Sequence, residues 1–207
     1  MFDILALIAT LTVITSLRKL IVVLPSLIGC MFRAKENINL EASVKHSIDR
    51  DICAVTMILP FCLAAYRFGI YDISPLQSLG ENLRLAAYIG IFLAYILVRA
   101  AAARVSYPKK LNQKTRKAAG RISFTYFIIL TLCVLGAGSA MTFFGVAPEV
   151  VKSAIIWISA AIYALMLIRK FEIFCSSCSV FAGFLYLCAL EIFPTGILVV
   201  PALIFLG

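Results

Sequence analysis

Long apolar stretches dominate this chain and decide what it can fold into. Its 207 residues are 63% hydrophobic and 14% charged, with a mean hydropathy of +1.04. This composition is far too apolar for a water-soluble domain. The apolar residues fall into stretches of roughly 18 to 28 positions, and about 20 helical residues cross the hydrocarbon core of a bilayer. The sequence therefore predicts an all-α, polytopic transmembrane helical bundle.

We expect about six spans within a single integral membrane domain that covers residues 1–207. The spans are predicted near 2–17, 52–70, 83–105, 122–144, 151–168 and 179–206.

Residues 18–50 fit more than one arrangement. Arg18 and Lys19 precede a further apolar run, 20–32, that contains Pro25. This run fits an interfacial segment, a re-entrant segment or a kinked continuation of the first helix, and we favour the first or the last. Apolar residues recur at helical spacing in 38–50, which predicts a surface helix on the inner leaflet.

The basic residues are distributed unevenly between the two sides of the predicted bundle. Of the 19 Lys and Arg residues, only Arg67, Arg84 and Lys152 fall on one side. Lys and Arg near helix ends are retained preferentially in the cytoplasm. Both termini are therefore predicted on the outer, periplasmic side, with 104–121 as a basic cytoplasmic loop.

The loop 104–121 also suggests what the protein contacts. Because it joins two spans and contains no recognisable nucleic-acid-binding module, we expect it to contact anionic lipid headgroups rather than nucleic acid. Docking of an acidic cytoplasmic partner is the alternative. The residues concerned are Lys109, Lys110, Lys114, Arg116 and Lys117.

Seven cysteines are scattered along the chain, and only Cys175 and Cys178 have the C-x-x-C spacing of metal or redox sites. Structural zinc requires four ligands, and the sole histidine, His46, is distant in sequence. Packing is the favoured interpretation, with a thiol switch or a metal site as the alternatives. We expect no metal and no cofactor.

Glu191 lies about halfway along the last predicted span, and an intramembrane acid normally faces a protein interior, an aqueous pathway or a partner. Pro194 cannot donate a hydrogen bond to the carbonyl of Leu190, so a bend is predicted beside this carboxyl group. Thr195 falls on the same helical face as Glu191. Three roles fit this intramembrane polar site: a hydrogen bond that specifies helix packing, which we favour, coupling to protons or ions, and contact with a partner.

Arg67 and Arg84 flank the outer loop 71–82 and are candidates for an outer-face contact. They fit either ion pairs with Asp72 and Glu81 or the binding of lipid phosphate.

The sequence contains none of the familiar catalytic motifs, such as H-E-x-x-H, a nucleophile elbow or a glycine-rich phosphate loop. An enzyme is therefore disfavoured. A lipid-modifying membrane enzyme that uses Glu191, Arg67 and Arg84 is the enzymatic alternative.

The run Leu185-Tyr-Leu-Cys-Ala-Leu-Glu-Ile-Phe-Pro194 resembles the signature sequence in the last span of a family of multi-pass inner-membrane proteins of Bacteroidetes. The resemblance implies a Gram-negative inner-membrane location and gives added weight to Glu191 and Pro194. It implies no activity.

We therefore expect a non-enzymatic subunit or accessory factor of an envelope complex, such as a secretion system. It would act by lateral helix packing, with membrane lipids and other subunits or a second copy as partners. The alternative is a small proton-coupled transporter or channel, with Glu191 as the titrating group and Pro194 as a hinge.

Overall fold

The computed structural model of the chain describes residues 2–70, 80–106, 113–176, 179–197 and 199. Every regular element among these residues is helical, and a π-helical turn, Cys188–Ile192, follows the eighth α-helix. The α-helices are α1 (Phe2–Phe32), α2 (Ala34–Ala42), α3 (Val44–Thr56), α4 (Ile58–Arg67), α5 (Glu81–Ser106), α6 (Gln113–Phe143), α7 (Pro148–Cys175) and α8 (Val180–Leu187).

Five helices in the described part are long and apolar enough to cross a membrane, which is compatible with a multi-pass membrane protein. The five segments are Asp3–Phe32, Glu81–Ala102, Lys117–Phe143, Pro148–Cys175 and Val180–Ile197. The sixth predicted span, 52–70, corresponds to the end of α3 and the whole of α4, which are separated at Met57. Neither helix alone has the length of a span.

The first helix runs through residues 20–32 without a break. Pro25 lies inside α1 and leaves the carbonyl of Ile21 without its usual helical donor. With 31 residues, α1 is about 45 Å long, which exceeds the hydrocarbon thickness of a bilayer. Arg33 then adopts an extended conformation, and the helical segment expected at 38–50 is divided between α2 and α3 at Ser43.

Helix α6 is the centre of the bundle. Half of its apolar window is buried, whereas the corresponding fraction in the other four long helices lies between 11% and 28%. We call Val180–Ile197, which contains α8 and the π-helical turn, the last helix. The largest core cluster surrounds α6 with residues of α1, α3, α7 and the last helix, including Leu27, Cys53, Ile173 and Leu190. This arrangement places the inward faces of several helices against α6, where polar groups from different helices meet.

Candidate functional site

Three ionisable side chains from three helices meet inside the bundle, and we call them the Glu191 cluster. Arg99 comes from α5, Lys170 from α7 and Glu191 from the π-helical turn. Arg99 Nη2 lies 2.5 Å from Glu191 Oε1, and Lys170 Nζ donates a hydrogen bond to the same oxygen. The side chains of Glu191 and Lys170 are 1% and 3% exposed. Glu191 and Lys170 are therefore almost fully buried, whereas the side chain of Arg99 is 22% exposed.

Neutral polar groups extend the cluster to a fourth helix. Arg99 also donates to the hydroxyl of Ser123 on α6, so the guanidinium group links α5, α6 and the last helix. The hydroxyl groups of Tyr95 and Thr195 lie 3.2 Å apart and join α5 to the last helix a second time. Glu191 Oε2 is buried and has no hydrogen-bond partner. One carboxylate oxygen thus accepts from both cations, and the other accepts from neither.

The local backbone explains how Glu191 reaches these partners. Phe193 N–H donates to the carbonyl of Cys188, a five-residue step that widens the turn. Pro194 follows and has no N–H for the carbonyl of Leu190, so the regular α-helical pattern is interrupted here. π-Helical turns within α-helices often occur at functional sites. A π-helical turn thus lies where the sequence predicts a bend beside Glu191, and Pro194 is buried just after it.

The intramembrane polar site predicted from the sequence is only part of this cluster. Glu191 lies in the cluster, and Thr195 on the same helix contacts the hydroxyl group of Tyr95. Pro194, between them in the chain, is buried. Sequence reasoning missed Arg99 and Lys170, which it had counted among the basic residues of the cytoplasmic side. For Arg99 a signal was present, because it lies inside the predicted span 83–105 and is preceded by Leu97 and Val98.

A second charged group, the Arg50 cluster, ties α2 and α3 to α6. Arg50 is 1% exposed, and it lies 2.5 Å from Glu41 and 2.6 Å from Asp51. Arg121 Nη1 of α6 lies 3.1 Å from Asp51 and 2.9 Å from the hydroxyl of Ser47. Two acids and two bases give a formally neutral group, which suits a structural connection.

The remaining predicted site residues lie apart from both clusters. Lys117 is exposed at the start of α6. Lys114 and Arg116 belong to the same helix, but their side chains lie outside the described part of the chain, as do Lys109 and Lys110 altogether.

The outer-face candidates lie in the last turn of α4 and the first turn of α5. Arg67 is exposed in the last turn of α4. The guanidinium carbon of Arg84 is 5.0 Å from the ring centroid of Tyr66, a cation–π distance. The hydroxyl group of Tyr66 in turn lies 3.5 Å from Glu81. Asp72, the other predicted ion-pair partner, lies outside the described residues.

The C-x-x-C motif is described in one half only. Cys175 is a partly exposed free thiol at the end of α7, and Cys178 lies outside the described residues. Among the residues that the structure describes, no three His, Cys, Asp or Glu side chains are grouped so as to hold a metal ion.

The charges of the Glu191 cluster determine what it can do chemically. An ion pair that is removed from water is stable only with good geometry, and losing one partner of a buried pair costs about 3–5 kcal/mol. The cluster therefore fixes the relative positions of α5, α7 and the last helix. Since it contains two basic groups and one acid, it also has a formal charge of +1 when all three are ionised.

No protein-family model, no curated protein and no solved structure matches this chain. The resemblance of 185–194 to the Bacteroidetes family therefore stays a prediction.

Proposed function

We propose that this protein is a non-enzymatic subunit or accessory factor of an envelope complex in the bacterial inner membrane, such as a secretion system. It contacts its partners by packing its helices laterally against theirs. One observation carries the proposal: the charges inside the bundle bind each other, whereas the outward helix faces present large apolar side chains. Trp157, Phe181 and Phe193, for example, are 74%, 73% and 66% exposed.

The geometry changes the contact expected from the sequence. Glu191 is bound within the chain by Arg99 and Lys170, so it acts on a partner only through the position of the last helix. The contact surface in this proposal is therefore the exposed apolar face of α7 and of the last helix. In a membrane such faces are covered either by lipid or by other helices.

The proposed topology has six crossings, and the sixth is 52–70, which takes in the end of α3 and the whole of α4. These 19 residues are about long enough to cross a bilayer. Both termini lie on the periplasmic side in this arrangement. The loop 104–121 then lies in the cytoplasm, where its basic residues contact anionic headgroups.

Photo-crosslinking on the native membrane tests the contact surface. A photoreactive amino acid at position 157, which is exposed, is compared with one at position 155, which is buried on the same helix. We expect position 157 alone to capture a membrane protein, identified by mass spectrometry and recovered in stoichiometric amount after purification in mild detergent. Recovery of the chain alone, with no crosslinked product at 157, contradicts the proposal, and a crosslink to a second copy identifies a homo-oligomer.

A small proton-coupled transporter is the second candidate. It is favoured by the unpartnered Oε2 of Glu191 and by the excess of basic over acidic groups within the membrane, since intramembrane ionisable residues mark proton relays in transporters. Purified protein in vesicles tests it. Proton-linked flux that Glu191→Gln abolishes in a folded protein supports transport, and absence of flux from the wild type contradicts it.

A further inference from the structure

We infer that Arg18 is a docking site within the membrane for a carboxylate, namely an Asp or Glu side chain in a membrane-spanning helix of a different protein. The inference rests on the subunit role proposed above. It adds a second contact surface, the exposed face of α1, and the chemistry of the partner that binds there.

Arg18 interrupts an otherwise apolar face of α1. Residues three or four positions apart lie on the same face of a helix, and the positions aligned with Arg18 carry exposed apolar side chains. Ile14 and Val22, one turn away on either side, are 60% and 48% exposed, and Arg18 is exposed between them. The apolar members of this face include Ile4, Leu7, Leu11, Ile14, Val22 and Phe32.

The contacts of α1 place Arg18 well inside the membrane. Ala9 packs with Leu85 near the start of α5, whereas the carbonyl of Met31 accepts a hydrogen bond from Arg169 near the end of α7. Both α5 and α7 run from the periplasm to the cytoplasm in the proposed topology, so these two contacts mark opposite sides of the bilayer. Arg18 lies between them, about 14 Å along the helix from Ala9 and about 20 Å from Met31.

Arg18 has no ion pair or hydrogen bond with any residue that the structure describes. A charged side chain that faces hydrocarbon is costly, and such residues ordinarily pair with an opposite charge. Lipid phosphates lie at the headgroups, more than two helical turns from this depth, so they are too far away to serve. The guanidinium group has five N–H donors in a planar fork that matches a carboxylate. A carboxylate from another helix therefore supplies what this face lacks.

A second copy of this chain does not provide that carboxylate. In the described part of the five long apolar helices, every acidic residue except Glu191 lies near a helix end. Glu191 itself is 1% exposed and already binds Arg99 and Lys170. The partner is therefore a different protein, with an Asp or Glu in the middle of one of its spans.

Photo-crosslinking in the native membrane tests the inference. A photoreactive amino acid is placed at position 22, one turn from Arg18 on the same face. We expect it to capture a membrane protein, with the crosslinked peptide located by mass spectrometry in a span that contains Asp or Glu. The product should be lost in Arg18→Leu and retained in Arg18→Lys. A crosslink only to lipid, to a second copy or to a span without an acid overturns the inference.

Lys19 provides the matched control. Lys19→Leu removes the same charge at nearly the same depth, but from the flank of α1 that faces α3, within electrostatic reach of Cys53. We expect this variant to retain the crosslink, and an equal loss in both variants overturns the inference. A crosslink at position 157 with none at position 22 leaves the subunit role intact and overturns this inference alone.

A reconstituted system tests the chemistry without the native partner. The purified protein is placed in phosphatidylcholine vesicles with a labelled Leu-rich peptide of about 20 residues that spans the bilayer. One peptide has Glu at its centre, and the matched peptide has Gln there. We expect stronger energy transfer from the protein to the Glu peptide, and Arg18→Leu should reduce it to the level of the Gln peptide. Equal transfer to both peptides, or no effect of Arg18→Leu, overturns the inference.

Thermal unfolding in detergent shows that these variants are folded. Because Arg18 contacts no charged partner in the described part of the chain, we expect Arg18→Leu to keep the wild-type midpoint. A strong drop in the midpoint would mean that Arg18 is bound within its own chain, which overturns the inference.

Discussion

Glu191 holds two cations that otherwise have no acidic partner in their cluster. Replacing it with Ala leaves Arg99 and Lys170 buried together as like charges. Losing one partner of a buried ion pair costs about 3–5 kcal/mol. We therefore expect Glu191→Ala to lower the thermal midpoint in detergent strongly and to reduce the amount of folded protein recovered.

A double substitution separates this electrostatic effect from simple loss of packing. In Glu191→Ala/Lys170→Met the cluster loses one negative and one positive group, so part of the lost stability should return. Glu172→Ala is the matched control, since its ion pair with Arg169 is partly exposed and contributes at most about 1 kcal/mol. If the double variant is no more stable than Glu191→Ala, the charges are not the cause.

The sequence predicts the residues of this cluster unevenly. Glu191 is recognisable because an acidic side chain in the middle of an apolar span is energetically costly unless it faces the protein interior, water or a partner. Arg99 and Lys170 lie closer to helix ends, where basic side chains ordinarily extend to the headgroups. Their inward direction depends on how α5 and α7 are rotated against α6, which is a property of the packed bundle. The adjacent Arg169 illustrates this, because it donates instead to the carbonyls of Met31 and Phe32 at the end of α1.

At the scale of the helices, Gly138 marks a close approach between α6 and the residue that follows α4. A β-carbon added at Gly138 would lie 2.5 Å from the ring of Phe68, whereas one at Gly136 would meet nothing within 4 Å. Overpacking of this kind typically costs about 1–3 kcal/mol. We expect Gly138→Ala to be less stable than Gly136→Ala by an amount in this range.

The pair of glycines makes this comparison a controlled one. Both lie in α6, so the helix-propensity gain of about 0.5–1 kcal/mol from Ala is common to the two variants and cancels in their difference. Thermal unfolding measured by a tag-fluorescence assay gives that difference. In a Phe68→Ala background the two variants should become equal, and a persistent gap would mean that Phe68 is not the obstacle.

The Arg50 cluster holds α2 and α3 in place on α6. Arg50→Met leaves Glu41 without its closest cation, and the side chain of Glu41 is only 8% exposed. We expect a loss of about 3–5 kcal/mol, seen as protease cleavage between α2 and α3 at low protease concentrations. Arg33→Met, at an exposed position just before α2, should leave the cleavage pattern as in the wild type. Equal resistance of both variants would contradict a structural role for the cluster.

Helix boundaries are predictable from the sequence where a local pattern determines them, and not where contacts between helices do. The apolar stretches predict the long helices because each stretch must satisfy its own backbone hydrogen bonds in lipid. The interruption at Met57 has a sequence signal in Pro60, which lies in the first turn of α4 and has no N–H for the carbonyl of Thr56, whereas no Gly or Pro marks the interruption at Ser43. Around Ser43 the two helices α2 and α3 bring Glu41 and Arg50 together, a contact that requires the chain to fold back.

For the whole molecule, the buried clusters change which basic residues count toward its orientation in the membrane. Arg50, Arg99 and Lys170 are paired inside the protein, so they no longer count as free loop charges for the positive-inside rule. The exposed basic residues that remain still concentrate on one side of the predicted topology. They include Arg33, Lys35, Lys45 and Lys117. The proposed orientation therefore survives the removal of the buried cations.

Lys117 and Lys152 provide the sharpest test of that orientation. They lie near the starts of the consecutive helices α6 and α7, so α6 separates them across the membrane if it is a true span. In a background without the seven native cysteines, we expect Lys152→Cys to react with a membrane-impermeant maleimide from the periplasmic side. Lys117→Cys should react only after the inner membrane is permeabilised. The reverse pattern would invert the orientation and place the loop 104–121 outside, whereas equal labelling at both positions would show that α6 does not cross the bilayer.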